Sequence, residues 1–452
     1  MLLITTSLIL IYTAYNTNEQ WSARLTVIGT AITGLLAWFC MDVQYSGFTL
    51  YNDWFRFTST NTPIVLIILL LLILLISYLT VVHRYTITAP WLIGLISLNG
   101  IGLILLPAIN DLLILYIVIE LQSYSLYTIT GVYNKSYNAT RGAMLYFLTG
   151  GIASIGILVA SVYIYANAGT TNLYDLSIIY EYSKDSLINP MYILTGALVF
   201  KMGLAPLHAW SIAVYNYAPT IVTAYISIVA KVAISGWLFI NASLLGPYVL
   251  YIVFYISLIT AAIVPLYQVN LKAILAYSGI LNFGYLLLPI IIQDQSYFIY
   301  LIQYVITHIV IFICLLSANE YIVKPNTRWS PIVLVSELII PNKIISLTLI
   351  ICLLSLIGIP PLPGFYGKYS VITGLMGAGL SLPVLSIIIF SVIATYYYAF
   401  IIKQLSLSLY TRSVEPQGSK IVGLILGILM TFLLTYYITV PFILEGLTVI
   451  TY

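Results

Sequence analysis

Phe200-Lys-Met-Gly-Leu-Ala-Pro-Leu-His208 sets a lysine, a glycine, a proline and a histidine into a run that is otherwise apolar from Pro190 onward. A second stretch, Leu356-Ile-Gly-Ile-Pro-Pro-Leu-Pro-Gly-Phe-Tyr-Gly-Lys368, breaks its run with Pro360, Pro361 and Pro363 and again carries a lysine. Proline inside a helix deletes one hydrogen bond and clashes with the carbonyl four residues earlier. Pro206 is therefore expected to free the carbonyl of Met202, beside Lys201. Backbone freed at membrane depth is tolerated only against protein or a water-filled cavity. Two interrupted segments, each late in its half of the chain, predict an inverted-repeat transporter with its path at the interruptions.

The membrane follows from composition. Of 452 residues, 62% are hydrophobic and 6% charged, against about 25% charged in soluble domains. Ile64 to Val82 is one charge-free apolar run, and about 14 spanning segments are expected by length and apolarity. They start near Leu2, Leu25, Pro63, Trp91, Leu112, Ala143, Pro190, Thr220, Gly246, Leu271, Tyr297, Ile340, Leu382 and Val422. The connections, the longest being Asp42 to Asn61 and Glu320 to Ser336, are too short for a soluble domain. A net charge of +3 without a basic patch speaks against nucleic acid. Cys40, Cys314 and Cys352 lack metal-ligand spacing and read as small packing residues. Met1 to Tyr15 has neither a positive n-region nor an Arg- and Ser-rich presequence. Insertion where the chain is made is thus expected, in a bacterium or an organelle. Forty tyrosines, many isoleucines and few arginines suit AT-rich codons and a mitochondrial gene.

Basic loops set the orientation. Loops after odd-numbered segments hold Arg24, Arg84, Lys135, Arg141, Lys272, Lys324, Arg328, Lys343, Lys403, Arg412 and Lys420; those after even-numbered segments hold Arg56 and Lys184. Short positive loops stay on the cytoplasmic or matrix side, so both termini are expected to face the intermembrane space or periplasm.

Lys201, Lys231 and Lys368 remain inside spanning segments, where a charge costs about 2.5–3.5 kcal/mol on insertion scales. Lys231 is central in Thr220 to Ile240. The competing structural readings are snorkelling, which needs a helix end, or neutralisation of an acid. The buried acid is Glu120, preceded by the apolar and aromatic run Leu112 to Ile119. Tyr124 and Tyr127, at i+4 and i+7, are expected on its helix face; its alternative is a protonated packing carboxylate. Burial favours a neutral lysine and a carboxylate partner favours the charged form. A Glu–Lys pair that forms and separates is therefore a proton switch, with Lys231 and Lys368 carrying protons onward. His208, at i+7 from Lys201, and His308, central in its segment, are relay candidates or hydrogen-bonded packing residues. Lys272 is a membrane-surface anchor or an intake residue. No phosphate loop, dinucleotide fingerprint, cysteine cluster or helical histidine pair is present, so neither a cofactor nor a metal is expected on this chain.

Glu120-Leu-Gln-Ser-Tyr-Ser-Leu-Tyr127, Phe200 to Trp210, Val214 to Ala224, Gln268 to Ser278 and Gly358 to Lys368 together resemble the antiporter-like membrane subunits of respiratory complex I. That family is related to subunits of multi-subunit, Mrp-type cation/proton antiporters. Glu120-Leu-Gln-Ser is distinctive of one of its members. The resemblance implies an all-α polytopic fold of 14 transmembrane helices: helices 1–3 in residues 1–90, inverted repeats of five helices in 91–241 and 242–405, and a last helix in 406–452. It implies Glu120, Lys201, Lys231 and Lys368 as the proton-translocating residues. It further implies NADH, FMN, iron–sulfur clusters and ubiquinone in other subunits, bound phospholipids, sister antiporter-like subunits as partners, and the mitochondrial inner membrane (or a bacterial plasma membrane). Two departures from the family pattern stand out: Ser211-Ile-Ala-Val-Tyr215 lacks a frequent acid, and Ala273 follows Lys272 where arginine is frequent. The rival functions are a stand-alone cation/proton antiporter subunit and a non-pumping scaffold.

Overall fold

A peptide group at bilayer depth has no water to bond, so a spanning segment satisfies its backbone within itself, as a helix does. The computed structural model describes residues 2–15, 19–39, 47–81, 91–132, 136–182, 184–318, 332–338, 340, 342–408 and 420–451, which are mostly helical. The helices are α1 (Leu2–Tyr15), α2 (Glu19–Phe39), α3 (Asn61–Val81), α4 (Leu92–Leu105), α5 (Leu112–Thr130), α6 (Tyr137–Ala168), α7 (Leu173–Tyr182), α8 (Lys184–Met202) and α9 (Ala209–Tyr217). They continue as α10 (Thr220–Ile240), α11 (Pro247–Ile263), α12 (Leu271–Ile292), α13 (Ser296–Ala318), α14 (Lys343–Ile357), α15 (Pro363–Gly377), α16 (Ser381–Ser408) and α17 (Lys420–Thr451). Among the described residues, ten helices are long and apolar enough to cross a membrane, and α1, α4 and α14 are apolar but shorter. Arg84, Lys135, Lys324, Arg328 and Arg412 lie outside the described residues, as do His83, Cys40, Asp42, Glu320 and Glu415. Arg24 lies within α2 rather than in a loop and stacks on Trp21 at 5.4 Å.

Helices that are apolar all round belong in an interior. α10, α12 and α13 fit that description and are buried nearly throughout, whereas α6, α16 and α17 expose most of their surface. The central three carry Lys231, Lys272 and His308.

The two broken segments share one construction. α8 ends at Met202, and Gly203 turns left-handed at φ +68°. α14 ends at Ile357, and Gly358 does the same at φ +92°. Only glycine enters that region without steric cost. Each glycine is followed three residues later by a proline on a cis bond, Pro206 and Pro361. The first break is therefore made at Gly203, upstream of the Pro206 site expected from the sequence; the proline lies in the unwound linker. Pro363 opens α15 at its first turn, where a missing N–H costs nothing.

The stretch before α3 is not a plain loop. Phe48–Leu50 and Phe55–Phe57 pair antiparallel, and the hairpin turn docks where Asn110 donates from its amide to Trp54 O at 2.9 Å and from Nδ2 to Asp53 O at 3.1 Å. Arg56 lies over the Tyr174 ring of α7 at 4.7 Å.

α14 and α15 touch backbone to side-chain position at Gly364, where an added methyl would collide with the Ser355 carbonyl oxygen. Gly364→Ala is expected to destabilise by about 1–3 kcal/mol, the range for overpacking a tight contact. Gly377→Ala meets nothing within 4 Å and is expected to be neutral or slightly stabilising. Thermal midpoints in detergent compare the two.

Candidate functional site

Asp111 caps α5, its Oδ1 accepting from the amides of Leu113 at 2.8 Å and Ile114 at 3.4 Å. Its Oδ2 accepts from Thr171 Oγ1 at 2.6 Å. This cap sets the α5 start, and one inward face then carries Glu120, Ser123 and Tyr127. Lys201 Nζ, in the last turn of α8, donates to Glu120 Oε1 and to Ser123 Oγ, each at 3.3 Å. Ser154 of α6 donates a further hydrogen bond to the same Glu120 oxygen. The side chains of Lys201 and Glu120 are only 6% and 11% exposed. Three helices thus converge on one compensated charge pair.

A cavity beside the pair is lined by Gln122, Tyr127, Tyr146, Lys201 and Trp210 and reaches Ala230 on α10. Gln122 Oε1 and Trp210 Nε1 are buried there without a hydrogen-bond partner, and Tyr127 OH faces Ser123. The cavity leads from Lys201 towards the next lysine.

Lys231 sits at the centre of α10, 2% exposed. Its Nζ has no hydrogen-bond acceptor and rests over the rings of Tyr215 at 5.5 Å and Phe283 at 5.4 Å. Aromatic faces attract a cation electrostatically but take no proton from it. A methyl on Gly279 would lie 3.3 Å from Tyr304 OH and 4.0 Å from Lys231 Nζ, so the hydroxyl and the amine share one wall. His308, one turn from Tyr304, places Nε2 3.4 Å from Ser227 Oγ, and Ser227 lies one turn before Lys231. The structure brings His308 and Lys231 into the same chamber.

Beyond it, Tyr300 OH donates to Asn282 Oδ1 at 2.6 Å. Tyr285 buries its hydroxyl without a partner, as Gln303 buries Oε1, while the Tyr398 hydroxyl interacts with Tyr397, Ser278 and Asn282. Lys368, half-buried on α15, donates from Nζ to Leu356 O and Ile357 O, both at 2.9 Å. Those are the last carbonyls of α14, left open by the break, and a cation there also meets the negative end of the helix dipole. Tyr285 lies 5.9 Å from the amine.

A family model described as "NADH:quinone oxidoreductase/Mrp antiporter, TM" matches residues 109–395, well over half of the chain. The chain belongs to this family. The antiporter-like subunit is 54% identical to NADH-ubiquinone oxidoreductase chain 2 of Candida albicans over 100% of this chain and 96% of that protein. It is 43% identical to the Debaryomyces hansenii chain 2 over 95% of each. Its fold matches a chain of respiratory complex I from Thermus thermophilus with TM-score 0.82 and 22% identity, covering 97% of both chains. A chain of the Mrp complex from Dietzia sp. matches with TM-score 0.73 and 17% identity, over 92% of this chain and 79% of that one.

Other sequence candidates in the antiporter-like subunit fall differently. His208 begins α9, its Nδ1 3.2 Å from Pro206 O and its ring edge-on to Tyr277; the i+7 relation to Lys201 requires a continuous helix, and the break removes it. Lys272 is not a surface anchor: it is 5% exposed and donates to Ala218 O, at the end of α9, at 2.8 Å. Tyr127 is buried against Tyr146 at 4.8 Å between ring centroids. Tyr124 is 55% exposed yet interacts with the Glu120 carboxylate one turn earlier, as the shared helix face requires. Sequence reasoning missed Tyr215, Ser227, Asn282, Tyr285, Tyr300, Gln303 and Tyr304. Ser278, Asn282 and Tyr285 on α12, and Tyr300, Tyr304 and His308 on α13, recur at helical spacing, and that stripe was the available signal.

Removing one member of a buried ion pair leaves an uncompensated charge and costs about 3–5 kcal/mol, whereas replacing both by apolar groups is often near neutral. Lys201→Met is expected to lower the thermal midpoint clearly, and Glu120→Leu with Lys201→Met to recover most of it. A double variant no better than the single one would mean the pair contributes nothing specific.

Proposed function

We propose that this chain is a proton-translocating membrane-arm subunit of NADH:ubiquinone oxidoreductase in the mitochondrial inner membrane, driven by redox chemistry in other subunits. The identity to chain 2 relatives supports the assignment. The observation that carries the mechanism is Lys231: a buried amine without an acceptor, set between two lysines that each hold one. NADH, FMN, iron–sulfur clusters and ubiquinone belong to the wider complex, sister antiporter-like subunits are neighbours, and phospholipids cover the exposed apolar faces.

The chain crosses the membrane about 14 times on this reading, counting α8 with α9 and α14 with α15 as single broken spans and leaving out the ten-residue α7. Both termini face the intermembrane space. Residues 1–90 precede two inverted halves, 91–241 and 242–405, and 406–452 close the chain. Repeated local geometry supports the halves. A proline-containing tight turn precedes α5 at Leu106–Ala108 and α12 at Val264–Tyr267. A backbone bridge just before the next helix follows each, Asp111 with Asn172 and Asn270 with Leu334, and the first turn has a second, Phe55 with Ile109. Each half then has its glycine-made break.

Glu120 compensates the Lys201 ammonium while the pair is closed. A shift that separates them leaves that charge in a low-dielectric site, and its proton moves through the cavity towards Lys231. The orphan hydroxyls and amides along the way are the kind of group that ordered water bridges. From Lys231 the proton passes the Tyr304, His308 and Tyr300 region to Lys368, where the open carbonyls of α14 receive the charge. A neutral Lys201 then draws Glu120 back only after reprotonation, which resets the switch.

An Mrp-type antiporter shares the fold at 17% identity and would use the same lysines; a scaffold would use none. Gentle detergent extraction of native membranes is expected to co-migrate this chain with NADH:quinone reductase activity, and migration in a small inactive particle would favour the antiporter. Lys231→Ala is expected to assemble and to cut NADH-driven proton translocation by about 10²-fold, the scale for a lost proton-transfer group. Unchanged pumping in the assembled variant would leave the scaffold reading.

A further inference from the structure

We propose that Asp294, with the hydroxyl of Ser296, is the release group that takes protons from Lys368 and passes them to water beyond the far end of α15. This rests on the translocation reading above, and adds an exit to it. α15 presents Gly367 and Gly374 seven residues apart on one face. A methyl at Gly367 would lie 2.8 Å from Gln303 Oε1 and 3.1 Å from Tyr300 Cδ2, both on α13. A methyl at Gly374 would collide with the Asp294 carboxylate and lie 3.6 Å from Ser296 Oγ. The missing side chains on α15 therefore leave a seam filled by polar groups from α13 and the residues just before it.

The seam begins beside Lys368, the neighbour of Gly367, and ends at half-buried Asp294. Ser296 is 3% exposed and its Oγ has no hydrogen-bond partner, as with Gln303 Oε1. The carboxylate is not needed to cap α13, because the amides of Tyr297 and Phe298 bond the backbone carbonyls of Asp294 and Gln295. Lys368 and Gly374 are about 9 Å apart along the helix axis. The Lys368 amine lies farther still, turned onto the Leu356 and Ile357 carbonyls, so the transfer needs Gln303 and several waters between it and Ser296. Val371, 1% exposed on the same face, separates the two ends with an apolar step that resists a standing water column and hence back-leak.

The proton leaves Lys368 Nζ as a neutral amine remains behind. Ser296 accepts a proton on its oxygen and donates its own to the Asp294 carboxylate. The resulting carboxylic acid loses that proton to bulk water and returns to carboxylate. No oxidant or other reactant is required.

The test uses Asp294→Asn, Asp294→Glu, Ser296→Ala and Lys231→Ala in the assembled complex, reconstituted in liposomes, with protons moved per NADH oxidised as the readout. Asp294→Asn is expected to remove this chain's share of that ratio, Asp294→Glu to restore it, and Ser296→Ala to give an intermediate loss. Normal pumping by Asp294→Asn alongside failure of Lys231→Ala overturns this inference and leaves the translocation reading standing. Normal pumping by both removes that reading and this one together. An Asp294→Glu variant as defective as Asp294→Asn makes the residue structural and overturns the proposal. If Asp294→Asn does not assemble, Ser296→Ala decides, and normal pumping there counts against the proposal.

Discussion

A charge at membrane depth must find its compensation inside the protein, since the lipid offers none. This constraint organises the molecule around its lysines. Lys201 meets it with Glu120 and Ser123, and Lys368 with the open carbonyls of a deliberately ended helix. Lys272 meets it with the carbonyl that ends α9. Lys231 has only aromatic faces. For Lys368 and Lys272 the helix ends themselves supply the acceptors that make a buried amine tolerable.

The same constraint explains why the most buried helices, apolar for most of their length, turn their few polar groups inward. α10, α12 and α13 have no lipid-facing surface to keep apolar, and their hydroxyls and amides gather where the three meet. Satisfied groups such as Tyr225 OH on Asn99 Oδ1, at 2.6 Å, hold α4, α5 and α10 in place. Unsatisfied ones line the space between the lysines. Satisfied and unsatisfied polar side chains thus occur together within one core.

Much of this was legible in the residues. Long apolar runs, two proline-rich interruptions and four isolated charges are strong signals, because a bilayer penalises their alternatives. The pairing of Glu120 with Lys201 followed from the scarcity of buried acids. Less legible was anything set by tertiary geometry. Which glycine ends α8 depends on a left-handed turn at Gly203, while Pro206 is the louder signal. His208 was placed by a periodicity that stops at that glycine. Lys272 looked like an anchor because burial by a neighbouring helix end has no local signature. The tyrosines of α12 and α13 were hidden among the forty in the chain, and the Phe48–Phe57 hairpin was hidden because its strands are only three residues long.

The two interruptions are built alike, but their lysines stand on opposite sides. Lys201 precedes Gly203, whereas Lys368 follows Gly358. The breaks match in their glycine and cis-proline spacing but not in where the amine stands, one on the incoming half-helix and one on the outgoing. A channel assembled from two equivalent halves has no preferred sense of flow. Here two alike backbone breaks carry their charges on opposite sides, an asymmetry of the kind a rectifier requires.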